Sequence, residues 1–141
     1  RRGVRAAAEG RRAEWETLRR ALDRELDRLD DAAETVGRLT VWLASADETP
    51  RSELGFDALA DRHGRLATGR ERCDRLAERR QAFLREVTSS GVDAGVRHRS
   101  VAAHVYADLP TGHPVLTTAA RLDATCARCQ RAVRDHLTRR G

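Results

Sequence analysis

Residues 13–44 read AEWETLRRALDRELDRLDDAAETVGRLTVWLA, and this stretch decides the fold class. Trp15, Leu22, Leu29, Val36 and Leu43 recur every seven residues, and Leu26, Ala33 and Thr40 supply a companion row. Two apolar rows at that spacing form a narrow seam on an α-helix, the pattern of a helix packed lengthwise along another. Glu16/Arg20 and Glu34/Arg38 stand four apart on its outer faces, each pair adding about 0.2–0.5 kcal/mol.

The seam stops at residues 45–55, a polar segment holding Pro50 and Gly55 that reads as the turn of a helical hairpin. Asp57 is the expected N-cap of a second helix reaching about residue 87, its carboxylate accepting from free backbone N–H groups. Leu59, Leu66, Cys73 and Val87 fall in its sevenfold row, with Arg80 as the one defect. Phe56, His63, Ala77 and Leu84 form the companion row. Gly64 and Gly69 lie inside, each costing roughly 1 kcal/mol relative to Ala. Two helices of about 30 residues joined this way lie antiparallel, each about 45 Å long.

A Ser- and Gly-rich break follows over residues 88–97, then a predicted short helix over 99–109 that buries Val101, Val105 and Tyr106. Pro110, Thr111 and Gly112 end it. His113 reads as a turn or cap residue, and Pro114 suits the first position of a last helix, where its missing N–H is not needed. That helix runs to about residue 138 with Val115, Ala119, Leu122, Cys126, Cys129, Val133 and Leu137 on one face. The expected fold is therefore all-α: an antiparallel long-helix hairpin plus a short helix and a third long helix, a coiled-coil-like bundle running up-down-up. Residues 13–141 form a single helical-bundle domain, and residues 1–12 a basic N-terminal tail or the start of the first helix. There is no internal repeat and no convincing strand.

Composition agrees. Of 141 residues, 35 % are charged and 4 % aromatic, and Met is absent, as in long amphipathic helices. The formal net charge is +5, carried by Arg alone; Lys, Ile and Asn do not occur, a bias that a GC-rich genome explains without a functional demand. Charge position is more telling. Arg1, Arg2, Arg5, Arg11 and Arg12 oppose only Glu9 at one end, and Arg139 and Arg140 close the other, so the body is near neutral between basic ends. A nucleic-acid footprint is instead a basic stripe on a folded face. The start at Arg1 fits a cut through a longer protein. The longest uncharged apolar stretch, residues 39–46, is far short of the roughly 20 residues a membrane span needs. Three Cys is an odd number, which points away from a disulfide framework and toward a reducing, cytoplasmic setting.

Several short motifs stand in order along the chain. They are Phe56-Asp57-Ala58-Leu59, then Arg72-Cys73-Asp74 with Arg80-Gln81, then Val105-Tyr106-Ala107-Asp108-Leu109 leading into His113-Pro114-Val115-Leu116. The run Leu122-Asp123-Ala124-Thr125-Cys126-Ala127-Arg128-Cys129-Gln130 completes the set. Together they resemble an uncharacterised helical family of halophilic archaea, a domain of unknown function, over nearly the whole chain from about Glu14. The family has no established activity, so the resemblance implies no catalytic residue.

The CxxC pair Cys126 and Cys129 is the strongest chemical lead, since nearby thiolates can share a metal or form a disulfide. Both fall in an apolar seam well inside a helix, away from the helix N-terminus that lowers a thiol pKa in redox motifs. Cys behaves there as a small core residue. Cys73 sits near the middle of the second helix, so all three thiols could meet, and a Cys3His zinc site would need one imidazole. His63 lies ten residues from Cys73, about 15 Å along the helix, and His136 seven from Cys129, about 10 Å. Neither reaches well. His63, His98, His104, His113 and His136 form no ligand spacing, and Asp30/Asp31 and Asp47/Glu48 read as solvated charge. No phosphate-cradling loop, nucleophile elbow or HExxH occurs.

Residues 117–137 have the loose look of a helix-turn-helix. Asp123-Ala124-Thr125 is a poor break and the seam crosses it in phase, so one continuous helix fits better. The expected protein is a non-enzyme without cofactor, catalytic or metal residues, meeting itself or another protein. Trp42, beside Leu39 and Leu43, widens the apolar face near the hairpin tip for such a contact, or covers that tip with Phe56 and Tyr106. Two alternatives stand beside it. One is a DNA-binding protein using the C-terminal helix and Arg-rich ends; the other is a thiol-dependent redox or zinc-binding protein through Cys73, Cys126 and Cys129.

Overall fold

The computed structural model describes residues 2–89, 106–107 and 112–140. Among these residues, three long helices make an all-α bundle: α1 (Arg2–Asp47), α2 (Phe56–Ser89) and α3 (Pro114–Arg140). A single 3-10 turn, Arg51–Glu53, lies between α1 and α2. The short helix predicted over 99–109 falls outside the described residues, apart from a turn at Tyr106 and Ala107. By the standard rise, α1 is about 69 Å long, α2 about 51 Å and α3 about 40 Å.

Both later helices start where the chain supplies a free carbonyl. The first bond of α2 runs from the Leu59 N–H to the Gly55 carbonyl at 3.0 Å, so Gly55 takes the cap position and Asp57 falls in the first turn. The predicted Asp57 cap is thus displaced by two residues, because the helix already includes Phe56. Even so, the Asp57 carboxylate sits where the helix dipole favours negative charge. In α3 the Thr117 N–H donates to the His113 carbonyl at 3.0 Å, which leaves Pro114 at the first helical position as expected.

Cross-helix contacts fix the directions. Leu39 lies against Gly69, and Arg24 pairs with Glu86, so α1 and α2 are antiparallel. Arg70 meets Asp123 and His63 meets Gln130, so α2 and α3 are antiparallel too. It follows that α1 and α3 run the same way. The closest pair is α2 with α3. Small residues on that pair, Cys73 and Ala77 against Ala119 and Cys126, let two backbones approach.

The core has two parts. Leu39, Leu59, Leu66, Cys73, Cys126 and Val133 form one, with Trp42, Leu43, Leu54, Leu122, Cys129 and Leu137 packed around it. Ala32, Leu76, Val115 and Ala119 form the other. Leu59 and Leu66 are fully buried, each contributing about 1.5–3 kcal/mol of transfer free energy. The apolar face expected for α3 is the one it buries.

The face expected for α1 is rotated. Glu25, Ala32 and Leu39 are buried, three residues after Leu22, Leu29 and Val36, whereas Leu26 is 56 % exposed and Ala33 and Thr40 face outward. A row three residues on and a row four residues on both adjoin the first row of a helix. Leu26 favoured the second; an ion pair at Glu25 selects the first. Similarly, α2 buries Gly69, Leu76 and Phe83 beside Leu59, Leu66, Cys73 and Arg80, while Phe56 is exposed and His63, Ala77 and Leu84 are half-buried. On the outer faces Glu34 and Arg38 pair as expected. Arg20 instead donates its Nε to the Glu16 backbone carbonyl at 3.4 Å.

Candidate functional site

The most unusual chemistry in the bundle is a buried ion pair. Glu25 on α1 and Arg80 on α2 are nearly inaccessible, and the Arg80 Nη2 donates to Glu25 Oε1. The Tyr106 hydroxyl donates to the same oxygen at 2.8 Å. Burial, and then the hydrogen bond to the carboxylate, push the Tyr106 phenol up to about 12. The Arg80 Nη1 is buried with no hydrogen-bond partner among the described residues. Arg80, the defect in the expected α2 row, is therefore one half of a pair that residue-by-residue hydropathy conceals.

Three guanidiniums surround one ring beside this pair. Arg24, Arg28 and Arg80 lie 5.4, 5.3 and 5.4 Å from the Phe83 centroid. Arg24 is also bridged to Glu86 at 3.1 Å. A crevice of about 310 Å³ opens next to Phe83. Arg28 and Arg79 line it against Asp31 and Glu34, so its walls carry both signs and favour no one ligand charge.

The thiols do come together. Cys73 and Cys126 share one core cluster and Cys129 packs at its edge. Burial, with the neighbouring Cys126 as a second cause, pushes the Cys73 thiol up to about 11, and burial also raises Cys126. Raised thiols stay protonated at neutral pH and are poor nucleophiles and poor metal ligands. No group of three His, Cys, Asp or Glu side chains is arranged to hold a metal ion among the described residues. His63 is half-buried with Nε2 inaccessible and unpartnered among the described residues, and its carbonyl accepts from Gln130 at 3.5 Å. Gln130 Oε1 in turn accepts from Arg70 Nη1 at 3.2 Å, and Asp123 accepts from Arg70 Nε at 2.9 Å. These residues tie α2 to α3.

Other sequence leads move. Trp42 is half-buried against the core and lines a small recess of about 50 Å³ with Leu66, Cys129 and Val133. It does not stand free at the tip; Phe56 there is exposed, and Tyr106 lies at the Glu25 level, far from Trp42. Residues 123–125 are inside α3, which is one unbroken helix. Because α1 and α3 run the same way, the Arg-rich start of α1 and the Arg-rich end of α3 sit at opposite ends of the bundle.

The beginning of α1 takes in residues 2–12 and is the most exposed stretch of that helix. Glu86, paired with Arg24, is three residues from the end of α2, so α1 continues well past it. Every residue from 2 to 16 is exposed, including Val4 at 73 % and Trp15 at 70 %. Val4, Arg11 and Leu18 extend the Glu25–Ala32–Leu39 row, and Ala8 and Trp15 extend the Leu22–Leu29–Val36 row. A shallow apolar hollow of about 290 Å³ lies at Trp15, Leu18 and Leu22. Among the described residues, the seam runs on past α2 and α3.

A family model, Domain of unknown function (DUF7260), matches residues 1–130. The chain belongs to this family. The DUF7260 match spans the whole of α1, including its projecting start, and ends within α3. No curated protein and no solved structure matches the chain. Within the DUF7260 region, Leu59, Cys73, Arg80, Tyr106, Val115, Asp123, Cys126 and Gln130 all make core or interhelical contacts. None of the described helices is long and apolar enough to cross a membrane.

Proposed function

We propose that this protein works by contact with other proteins, without catalysis, and that the projecting start of α1 is its contact surface. One observation carries the reading: Val4 and Trp15 continue the two rows that α2 and α3 cover further along, yet both are about three-quarters exposed. An apolar row at heptad spacing is what a second helix packs against, and large exposed apolar groups in a line mark interaction sites. The buried charges support the non-enzymatic reading, since Glu25, Arg80 and Tyr106 are engaged with one another. Three unpaired thiols suit a reducing, cytoplasmic compartment, and the ordered short motifs support a halophilic archaeal source.

The test is site-specific photo-crosslinking in the native host. A photoreactive residue at position 15 should give a discrete protein adduct, and one at exposed position 33 should not. Equal labelling at both positions, or none at 15, would refute the proposal. The DNA-binding alternative has less support, because the two basic ends are separated by the length of the bundle.

A further inference from the structure

Granting that the start of α1 is a contact surface, we infer that its occupant is an amphipathic helix with an acidic edge, supplied by another protein. The argument begins with the residues bordering the seam. Arg5, Arg12 and Arg19 each follow a member of the Val4–Arg11–Leu18 row, so one border carries an arginine every seven residues. All three are exposed, and Arg11 lies within the row itself. The opposite border, Ala7, Glu14 and Ala21, holds one acid. Border charges choose the partner and its direction when helices pair along heptad seams.

A second copy of the chain fits poorly. Both α2 and α3 lie on the seam side of α1, so two parallel copies would bring those helices into collision. Two copies could overlay their projecting ends only antiparallel. The two-fold axis of such a pair places each border against its own equivalent, setting Arg5, Arg12 and Arg19 against the same three residues. Like charges at that spacing oppose pairing. Duplex DNA would satisfy the arginines but leave Val4, Ala8, Trp15 and Leu18 against a polar surface. An apolar stripe edged with glutamate or aspartate satisfies both features.

The test uses the full chain and two labelled heptad peptides, each with leucine in its seam and either glutamate or lysine at both borders. Fluorescence anisotropy should show the acidic peptide binding roughly tenfold tighter than the basic one. The R5E/R12E/R19E variant should reverse that order, and Trp15→Ser should weaken both peptides; all four positions are exposed, and circular dichroism verifies folding. Equal affinity for the two peptides would overturn the inference, as would binding of a duplex oligonucleotide with neither peptide bound. Self-association in sedimentation equilibrium that Trp15→Ser abolishes, without peptide binding, would overturn it in favour of a second copy while leaving the contact reading intact. A monomer that binds neither peptide and gives no crosslink at position 15 would remove both.

Discussion

Glu25 and Arg80 face each other across the α1–α2 interface, buried, with the Tyr106 hydroxyl on the same carboxylate oxygen. A pair placed so deep repays its desolvation only while complete. Arg80→Ala leaves a buried carboxylate and should cost about 3–5 kcal/mol of unfolding free energy in a urea titration. The E25L/R80L double variant should recover most of that loss, since apolar replacements of buried pairs are often neutral. Double-variant stability no better than Arg80→Ala would show that the pair contributes something leucine cannot replace.

Gly64 and Gly69, alike in sequence, should respond differently to alanine. A Cβ at Gly64 meets nothing within 4 Å, so Gly64→Ala should stabilise by about 0.5–1 kcal/mol through helix propensity. A Cβ at Gly69 falls 2.9 Å from a Leu39 methyl and 3.5 Å from Cys126 Sγ. That methyl belongs to a buried side chain with little room to move, so the variant should end at least about 1 kcal/mol below Gly64→Ala. Equal gains at both sites would mean that Leu39 yields freely.

Alkaline pH should weaken the fold through Cys73. Its thiol titrates near 9 when unfolded and about 11 when folded. The unfolded chain therefore releases that proton first. Stability from this group is complete below pH 9 and is lost as pH rises through 11, with a slope under about 1.4 kcal/mol per pH unit. Urea midpoints measured between pH 8 and 11 should fall less steeply in Cys73→Ala. At pH 7.5 a mild alkylating reagent should modify Cys73 only as the chain unfolds; rapid labelling of the native protein would contradict the raised thiol.

Leu39→Ala and Leu26→Ala separate the two possible seams of α1. Leu39 is buried and its truncation should cost about 2–5 kcal/mol, while exposed Leu26 should change stability by less than about 0.5 kcal/mol. Comparable losses would restore the row that hydropathy alone suggests.

That rotation shows what the amino-acid pattern could and could not convey. The three long helices, the hairpin and the α3 face from Val115 to Leu137 were legible, because each rests on apolar spacing and on Pro or Gly at the breaks. Glu25 was not, since a charged residue beside Leu26 looks outward-facing until its partner is known. One clue was present. A hairpin turning near residue 52 sets residue 25 level with residue 80, so opposite charges at matched heights, one already a seam defect, pointed to a pair. Trp15 and Trp42 exchanged roles for a related reason. Periodicity places a residue on a stripe, but only the lengths of the neighbouring helices decide where the stripe is covered.

The unequal helix lengths also bear on how the exposed start of α1 keeps its order. A separate peptide of about fifteen residues would rarely be helical in water, because the first turn must be nucleated at high entropic cost. Residues 2–16 avoid that step by propagating from turns already held by the bundle. Amide exchange should therefore quicken from Leu22 toward Arg2, as protection falls with distance from the packed turns. Under the proposed contact, a partner would meet a helix already propagated, and association would be correspondingly less opposed by entropy.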